Sequence, residues 1–265
     1  MAAVVLGLTG CVATDDAEQA TQAVRPPAAA AEPAAASDGQ ANADIDVDGE
    51  GFDLSFVVDQ RAPSVIVGAV TGTSITAYER PDATSPALVE LSNPNAVGGP
   101  LVFQLIAPDV TGDEWAEVLL PIRPNGITGW VRTDELQLTS NPYRVEIDID
   151  RHQLQVLKAN EVWMTTTVAI GTGATPTPIG RFYVTELLRP PTDDGPYGPF
   201  AFGLSGFSET LTNYAGGEGV IGIHGTNEPD SIGLDVSHGC VRLVNDEITE
   251  LAAVLPLGTP VIIQP

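Results

Sequence analysis

Residues 220–243 read VIGIHGTNEPDSIGLDVSHGCVRL, and they join a short apolar strand to a loop that carries a cysteine. The apolar run Val220–Ile223 ends at His224, and Cys240 follows after a connection rich in Gly, Pro, Asp and Ser. The chain has 3 histidines, and the second of this stretch is His238. A thiol with a free pKa of about 8.5 becomes a nucleophile when a neighbouring histidine takes its proton. The stretch therefore predicts that Cys240 and His224 form a pair, because the residues between them can fold back and bring the two side chains together.

The residues around Cys240 leave three uses of this side chain open. Gly239 permits a tight turn before the cysteine, so the amides of Gly239 and Cys240 are predicted to face a developing oxyanion. A small buried hydrophobic group is the second use. The third is a zinc site of His224, His238 and Cys240, which has suitable ligand types but lacks a fourth ligand of obvious spacing.

The sequence predicts simpler roles for His152 and Arg242. His152 follows Arg151 at a predicted turn between strands, which favours a solvated surface histidine. Arg242 suits either a structural ion pair or the anchoring of a substrate carboxylate. The chain has no Gly-rich phosphate loop in a matching context, so no nucleotide cofactor is predicted.

Residues 141–265 are predicted to form a mostly β domain. Tyr143–Asp150 alternates apolar and polar residues as a half-buried strand does, and Pro190–Gly206 is predicted to be a loop beside the site. One helix is predicted, with Asn245 or Asp246 as its N-cap and apolar residues at i, i+3, i+4 and i+7. The other predicted strands are Gln153–Lys158, Val162–Ile170, Thr177–Val184, Val220–Ile223 and Pro260–Gln264.

Residues 61–140 are predicted to form a small β-barrel. The stretch Trp115–Leu136 resembles the closing hairpin of bacterial SH3-like domains, and Trp115 and Trp130 are predicted to fill the core. Short β-rich runs alternate here with turn residues. The five predicted strands are Val65–Val70, Ser74–Tyr78, Leu101–Ala107, Trp115–Leu120 and Gly129–Arg132.

The first 60 residues are predicted to lie outside any packed core. Residues 1–11 end in Leu8-Thr9-Gly10-Cys11, which resembles a bacterial lipobox, so Cys11 is predicted to carry a lipid anchor. An incidental apolar start with a free cysteine is the alternative. Residues 12–60, rich in Ala, Pro and acidic residues, are predicted to form a disordered tether. If Cys11 is lipidated, Cys240 has no disulfide partner.

Charge and length limit the possible partners of the chain. The 265 residues carry 35 acidic and 11 basic side chains, a net charge of −24, and the bases are scattered. Because phosphate binding needs clustered cations, nucleic acid is excluded as a partner. No run of 18 apolar residues suggests a membrane-spanning helix.

The motif residues resemble the catalytic domain of bacterial L,D-transpeptidases, the YkuD-type domain. The resemblance rests on residues 223–227, on Ser237–Leu243 with Asn245, and on the strand at 177–182, and it covers about residues 142–265. It implies a mainly β fold with one or two helices, preceded by the SH3-like barrel. Ile179 stands where many relatives have threonine.

The resemblance also implies roles for the individual residues. Cys240 is implied as the nucleophile and His224 as the proton acceptor and donor, with the carbonyl of Gly225 orienting the imidazole. Arg242 is implied as a substrate-side arginine that pairs with a stem-peptide carboxylate. The loop implied to hold the nucleophile and its oxyanion hole consists of Ser237, His238 and Gly239.

The implied activity is the cross-linking of peptidoglycan, a reaction that is expected to need neither a metal nor a nucleotide. Cys240 would form a thioester with a tetrapeptide stem and release D-Ala, and an amine of a neighbouring stem would then give a 3→3 cross-link. Three alternatives stay open: an L,D-carboxypeptidase that trims stems, a non-catalytic wall-binding lipoprotein and a metal-binding protein. The implied location is the cell envelope, with the chain anchored to the outer face of the plasma membrane or secreted.

Overall fold

The chain folds mainly into β-strands, as a computed structural model of residues 62–107, 110, 112–213 and 217–265 describes it. These residues form seventeen strands and one α-helix, which confirms the predicted fold class. The lipidation of Cys11 and the tether at 12–60 lie outside the described residues. In the described ranges, no helix combines the length and the apolar character that crossing a bilayer requires.

Seven strands of the N-terminal part form two antiparallel sheets, β4-β1-β7 and β3-β2-β6-β5. All five predicted strands are present. The two additional strands, β3 and β7, expose most of their side chains and so lack the apolar pattern on which the prediction relied. The bounds are β1 Val65–Val70, β2 Ser74–Tyr78, β3 Ala87–Ser92, β4 Val102–Gln104, β5 Trp115–Leu119, β6 Thr128–Arg132 and β7 Leu136–Asn141.

The two tryptophans predicted to fill this core lie on its outer side instead. Strand β5 turns Ala116 and Val118 inward, which leaves Trp115 half-buried on the opposite face. Its ring meets the Tyr78 ring edge-on at 5.6 Å. Trp130 is half-buried in the same way, because inward and outward positions alternate along β6. The core prediction for both tryptophans is therefore wrong.

Ten strands follow in the C-terminal part, and eight of them form one mixed sheet in the order β10-β9-β8-β17-β12-β13-β14-β16. The pairs β17–β8 and β14–β16 are parallel, and β11 and β15 form a separate parallel pair. The bounds are β8 Tyr143–Asp148, β9 Gln153–Lys158, β10 Glu161–Thr167, β11 Ile170–Gly171, β12 Gly180–Leu188, β13 Ala201–Phe207, β14 Val220–His224, β15 Asp235–Ser237, β16 Val241–Arg242 and β17 Pro260–Gln264.

The predicted loop Pro190–Gly206 is wrong in its second half, where β13 begins at Ala201. The glycines of this strand suggested a loop, but they permit close packing. A Cβ on Gly206 would overlap the Phe182 ring, and one on Gly203 would approach Glu186 Cγ to 2.5 Å. Glycine inside a strand often marks such a close approach.

The predicted helix is confirmed as α1, Asn245–Val254, and its start corrects the predicted N-cap. Val244 precedes the helix in an extended conformation, and no side chain caps the first turn. The apolar stripe packs into the core of the large sheet through Ile248, Leu251 and Ala252.

A small apolar cluster joins the two parts of the chain. Tyr183 from β12 packs against Val67, Val102 and Leu119 from the N-terminal sheets. Polar contacts border this junction: Asn125 exchanges two hydrogen bonds with the backbone of Phe207, at 2.8 and 2.9 Å. The N-terminal part thereby holds the end of β13, which lies directly beside the histidine strand β14.

Candidate active site

The parallel pairing of β14 with β16 brings the predicted histidine and cysteine together. Ile223 lies opposite Val241 in this register. His224 lies level with Arg242, and Cys240, which directly precedes β16, is two residues before Arg242. Residues level with each other in a sheet share a face, as do residues two apart on an extended chain, which places His224 and Cys240 on one face. The backbone N–H of Gly222, two residues before His224, contacts the Cys240 thiol. The other face of both strands is buried in the apolar core.

His224 is buried, with 5% of its surface exposed, and its ring is held in one orientation. Its Nδ1 lies 2.6 Å from the carbonyl oxygen of Gly225. Because a carbonyl oxygen only accepts hydrogen bonds, Nδ1 carries the proton and Nε2 is the basic nitrogen. The ring of Tyr197 meets the imidazole edge-on, with ring centres 4.9 Å apart.

The environment of His224 favours the neutral imidazole. Burial lowers its pKa from 6.5 to about 4, and the positive charge of Arg242 acts in the same direction. The hydrogen bond to Gly225 opposes both effects but does not offset them. At neutral pH the ring is therefore an unprotonated base.

Cys240 is a free thiol that is partly exposed. Burial raises the pKa of this thiol, while the backbone N–H of Gly222 and the charge of Arg242 act to lower it. Both groups of the pair are therefore neutral at rest. The arrangement suits a thiol that gives its proton to the imidazole as it attacks an electrophile, rather than a standing ion pair.

The loop before Cys240 is braced by the hydroxyl of Ser237. This group donates to the Cys240 carbonyl oxygen at 2.6 Å and accepts from the Gly239 N–H at 3.0 Å. Gly239 has a φ of +114°, which explains why a glycine is needed at this turn. The Gly239 N–H, which was predicted to face an oxyanion, donates to Ser237 here, and the Cys240 N–H is the other predicted donor. His238 is exposed.

Arg242 adopts the structural ion pair that was one of its two predicted uses. Its Nη1 lies 2.9 Å from Glu228 Oε2, and its side chain is only 16% exposed. Its position opposite His224 places it on the same face as the cysteine and histidine. Its Nε is buried without a hydrogen-bond partner among the described residues.

His152 corrects a prediction, because it is not simply a solvated surface histidine. Its Nε2 lies 2.6 Å from Asp235 Oδ1, and its side chain is 25% exposed. Asp235 is distant in sequence, so the turn around Arg151 gave no sign of this partner. Among residues 62–265 that are described, no three His, Cys, Asp or Glu side chains converge as metal ligands.

Two residues at this site carried no catalytic assignment from the sequence. Tyr197 is an aromatic residue among Gly195, Pro196 and Gly198, a pattern that marked a loop but not its contact with the imidazole. Asn245 was assigned as a helix cap, yet its Oδ1 accepts a hydrogen bond from the Thr226 N–H at 2.8 Å.

Comparison with known proteins places the C-terminal part of the chain in one family. The family model of the YkuD L,D-transpeptidase catalytic domain matches residues 142–263. The chain is 36% identical over 124 residues to "Putative L,D-transpeptidase YkuD" of Bacillus licheniformis, covering 47% of this chain and 67% of the relative. It is 34% identical over 136 residues to "Putative L,D-transpeptidase YqjB" of Bacillus subtilis, covering 49% of this chain and 74% of the relative.

A solved structure, that of Bdellovibrio bacteriovorus Bd1075, is similar at 28% identity and a TM-score of 0.36, covering 46% of this chain and 47% of that one. The chain thus spans about half of the solved relative and at least two thirds of the two Bacillus proteins. The sequence relationship of the C-terminal part to the Bacillus relatives identifies the family. The chain belongs to the YkuD family of L,D-transpeptidases.

Proposed function

We propose that this chain is a peptidoglycan L,D-transpeptidase that uses Cys240 as its nucleophile and His224 as its base. One observation carries the proposal most strongly. The Gly225 carbonyl holds the proton on Nδ1 of His224, so the basic Nε2 belongs to a neutral ring on the same sheet face as the cysteine. A nucleophile beside an oriented base is the arrangement that acyl transfer requires.

The proposed first half-reaction forms a thioester. Cys240 Sγ bonds to the carbonyl carbon of the third stem residue while His224 Nε2 takes the thiol proton. The C–N bond to the terminal D-Ala then breaks, and the imidazolium gives its proton to the departing amine. The Cys240 N–H donates to the oxyanion, and the loop braced by Ser237 keeps that N–H in place.

The proposed second half-reaction makes the 3→3 cross-link. The amine of a neighbouring stem bonds to the thioester carbon, the C–S bond breaks, and the amine proton returns through His224 to the thiolate. Water in place of the amine would give the L,D-carboxypeptidase product. Arg242 is proposed to attract the stem carboxylate, with Glu228 as its partner until substrate arrives.

The remaining domain assignments belong to the same proposal. Residues 61–140 are proposed to be an SH3-like domain and 141–265 the catalytic domain. Cys11 is proposed to be lipid-anchored after a signal segment at 1–11, with 12–60 as a tether that places the enzyme in the cell envelope. The contacts of Asn125 with Phe207 support a role of the first domain in bracing the second.

The test is the incubation of the full chain with disaccharide-tetrapeptides, followed by mass spectrometry of the products. A dimer lacking one D-Ala supports transpeptidation. Tripeptide without dimer would replace it with the carboxypeptidase alternative. The Cys240→Ala variant should lose turnover, while the matched control Cys11→Ala should keep it. Binding of stem peptides without turnover in the unmodified chain would favour the non-catalytic wall-binding alternative.

A further inference from the structure

The side chain of Asn245 is directed away from its own helix. Asn245 is the first residue of α1, where no side chain caps the first turn. Its Oδ1 accepts from the Thr226 N–H at 2.8 Å, and its Nδ2 donates to the Asp193 carbonyl oxygen at 3.4 Å. Since an N–H only donates and a carbonyl only accepts, these two bonds agree on which end of the carboxamide is the oxygen.

The bond from Thr226 to Asn245 acts on the peptide group that orients the catalytic histidine. The Thr226 N–H and the Gly225 carbonyl belong to one planar peptide group, in which a trans bond directs them to opposite sides. On one side the carbonyl receives the Nδ1 proton of His224 at 2.6 Å, and on the other the N–H is held by Asn245. Rotation of this plane would break both bonds together.

Two glycines leave the space that the Asn245 carboxamide occupies. A Cβ on Gly225 or on Gly198 would overlap Asn245 Oδ1. Gly198 has a φ of +62°, in the left-handed region that glycine adopts readily. Thr226 is 3% exposed, so its N–H depends on Asn245 for its hydrogen bond.

From these contacts we infer that Asn245 is a positioning residue, which holds the 225–226 peptide plane and through it keeps His224 in the Nδ1–H tautomer. The inference rests on the proposed function for its effect on turnover. The expected tautomer of His224 is independent of the proposed function, because it is a property of the free protein. An isosteric side chain without an acceptor, Asn245→Leu, removes the hold, while Asn245→Asp retains an acceptor oxygen.

The tautomer is measured by NMR on the full chain with 15N-labelled histidine at pH 7. The three histidine rings give three sets of signals. The His224 signals are assigned as the set that is missing from the spectrum of His224→Gln. The wild type and Asn245→Asp should show Nδ1–H for His224. Asn245→Leu should show loss of that form, and the exposed neighbour Asp246→Ala, a matched control in the same helical turn, should resemble the wild type.

Turnover on disaccharide-tetrapeptides is the second measurement. Asn245→Leu should lower kcat about ten-fold, as expected for the loss of one buried hydrogen bond at the base, with KM little changed. Asn245→Asp should stay within about three-fold of the wild type. If Asn245→Leu fails to fold, Asn245→Ala takes its place.

The two measurements together decide the inference. An unchanged His224 tautomer in the Leu or Ala variant would overturn it, as would a tautomer change with no fall in kcat. Absence of turnover in the wild-type chain would instead refute the proposed function, and the tautomer comparison would still test the hold on the peptide plane.

Discussion

The depressed pKa of His224 makes stability depend on pH in a way that one substitution can isolate. The folded protein holds this side chain neutral to about pH 4, while the unfolded chain protonates it near its ordinary pKa of 6.5. As the pH falls below 6.5, the unfolded state gains a proton that the folded state excludes. Protonation of His224 therefore has almost no effect on the free energy of unfolding above pH 6.5, and it lowers that free energy increasingly as the pH falls to about 4.

The size of this effect follows from the two pKa values. At about 1.4 kcal/mol per pKa unit, the fall from 6.5 to about 4 costs about 3 kcal/mol of unfolding free energy once the pH is below both values. Between pH 7 and pH 4.5 the same two pKa values give a loss of about 2 kcal/mol. The side chain is buried, so solvent screening does not reduce this figure much.

Urea unfolding followed by tryptophan fluorescence measures the effect. The free energy of unfolding is determined at pH 7 and at pH 4.5 for the wild type and for His224→Gln, whose side chain does not titrate. The many carboxylates titrate in both proteins, so their contribution cancels in the difference. On lowering the pH, the wild type should lose about 2 kcal/mol more stability than the variant. Cys240→Ala, which keeps the histidine, should lose as much as the wild type.

If the free energy of unfolding falls in parallel in both proteins, with a difference below about 1 kcal/mol, the lowered pKa of His224 in the folded protein is contradicted. Such a result would mean that His224 accepts a proton in the folded state near its ordinary pKa. The conclusion that burial lowers the pKa of His224 in the folded protein would then fail.

Three further predictions concern packing. Asn125→Ala should lower the unfolding free energy by about 1–3 kcal/mol in urea, because it removes both hydrogen bonds to Phe207; an unchanged value would show that this junction does not hold in solution. Tyr183→Phe should leave that energy unchanged or raise it by about 1 kcal/mol, since the hydroxyl is buried without a partner in the described part of the chain; a loss of stability would reveal one. Gly225→Ala should cost about 1–3 kcal/mol in the same measurement, because its Cβ would overlap the Asn245 carboxamide, and a well-tolerated alanine would contradict the described fit.

Local sequence patterns predicted the elements whose cause is local. The stripe of Ile248 and Leu251 marked the helix, and the alternation in Tyr143–Asp148 marked a central strand. Strands β3 and β7 escaped prediction because most of their side chains are exposed, and β13 because its glycines serve close packing.

In the candidate site, too, only the features with a local sequence signal could be predicted. Cys240 and His224 were identifiable because residue type and spacing carry the chemistry. The contacts of His152 with Asp235 and of Asn245 with Thr226 were not, because they join segments 83 and 19 residues apart in sequence. The outward position of Trp115 likewise depends on which face of β5 meets the core, which its size alone does not determine.

Trapping of the acyl-enzyme shows whether Cys240 forms the thioester. The full chain is mixed with a tetrapeptide stem donor whose free amines are acetylated, so that it cannot serve as its own acceptor. The mixture is quenched in acid and analysed as the intact protein and after digestion. The proposed mechanism predicts a gain in mass equal to the mass of the donor minus that of D-Ala. The added mass should lie on the peptide that contains Cys240, and Cys240→Ala should show no such gain. Turnover of the donor by Cys240→Ala at the wild-type rate, or an adduct on any other residue, would contradict it.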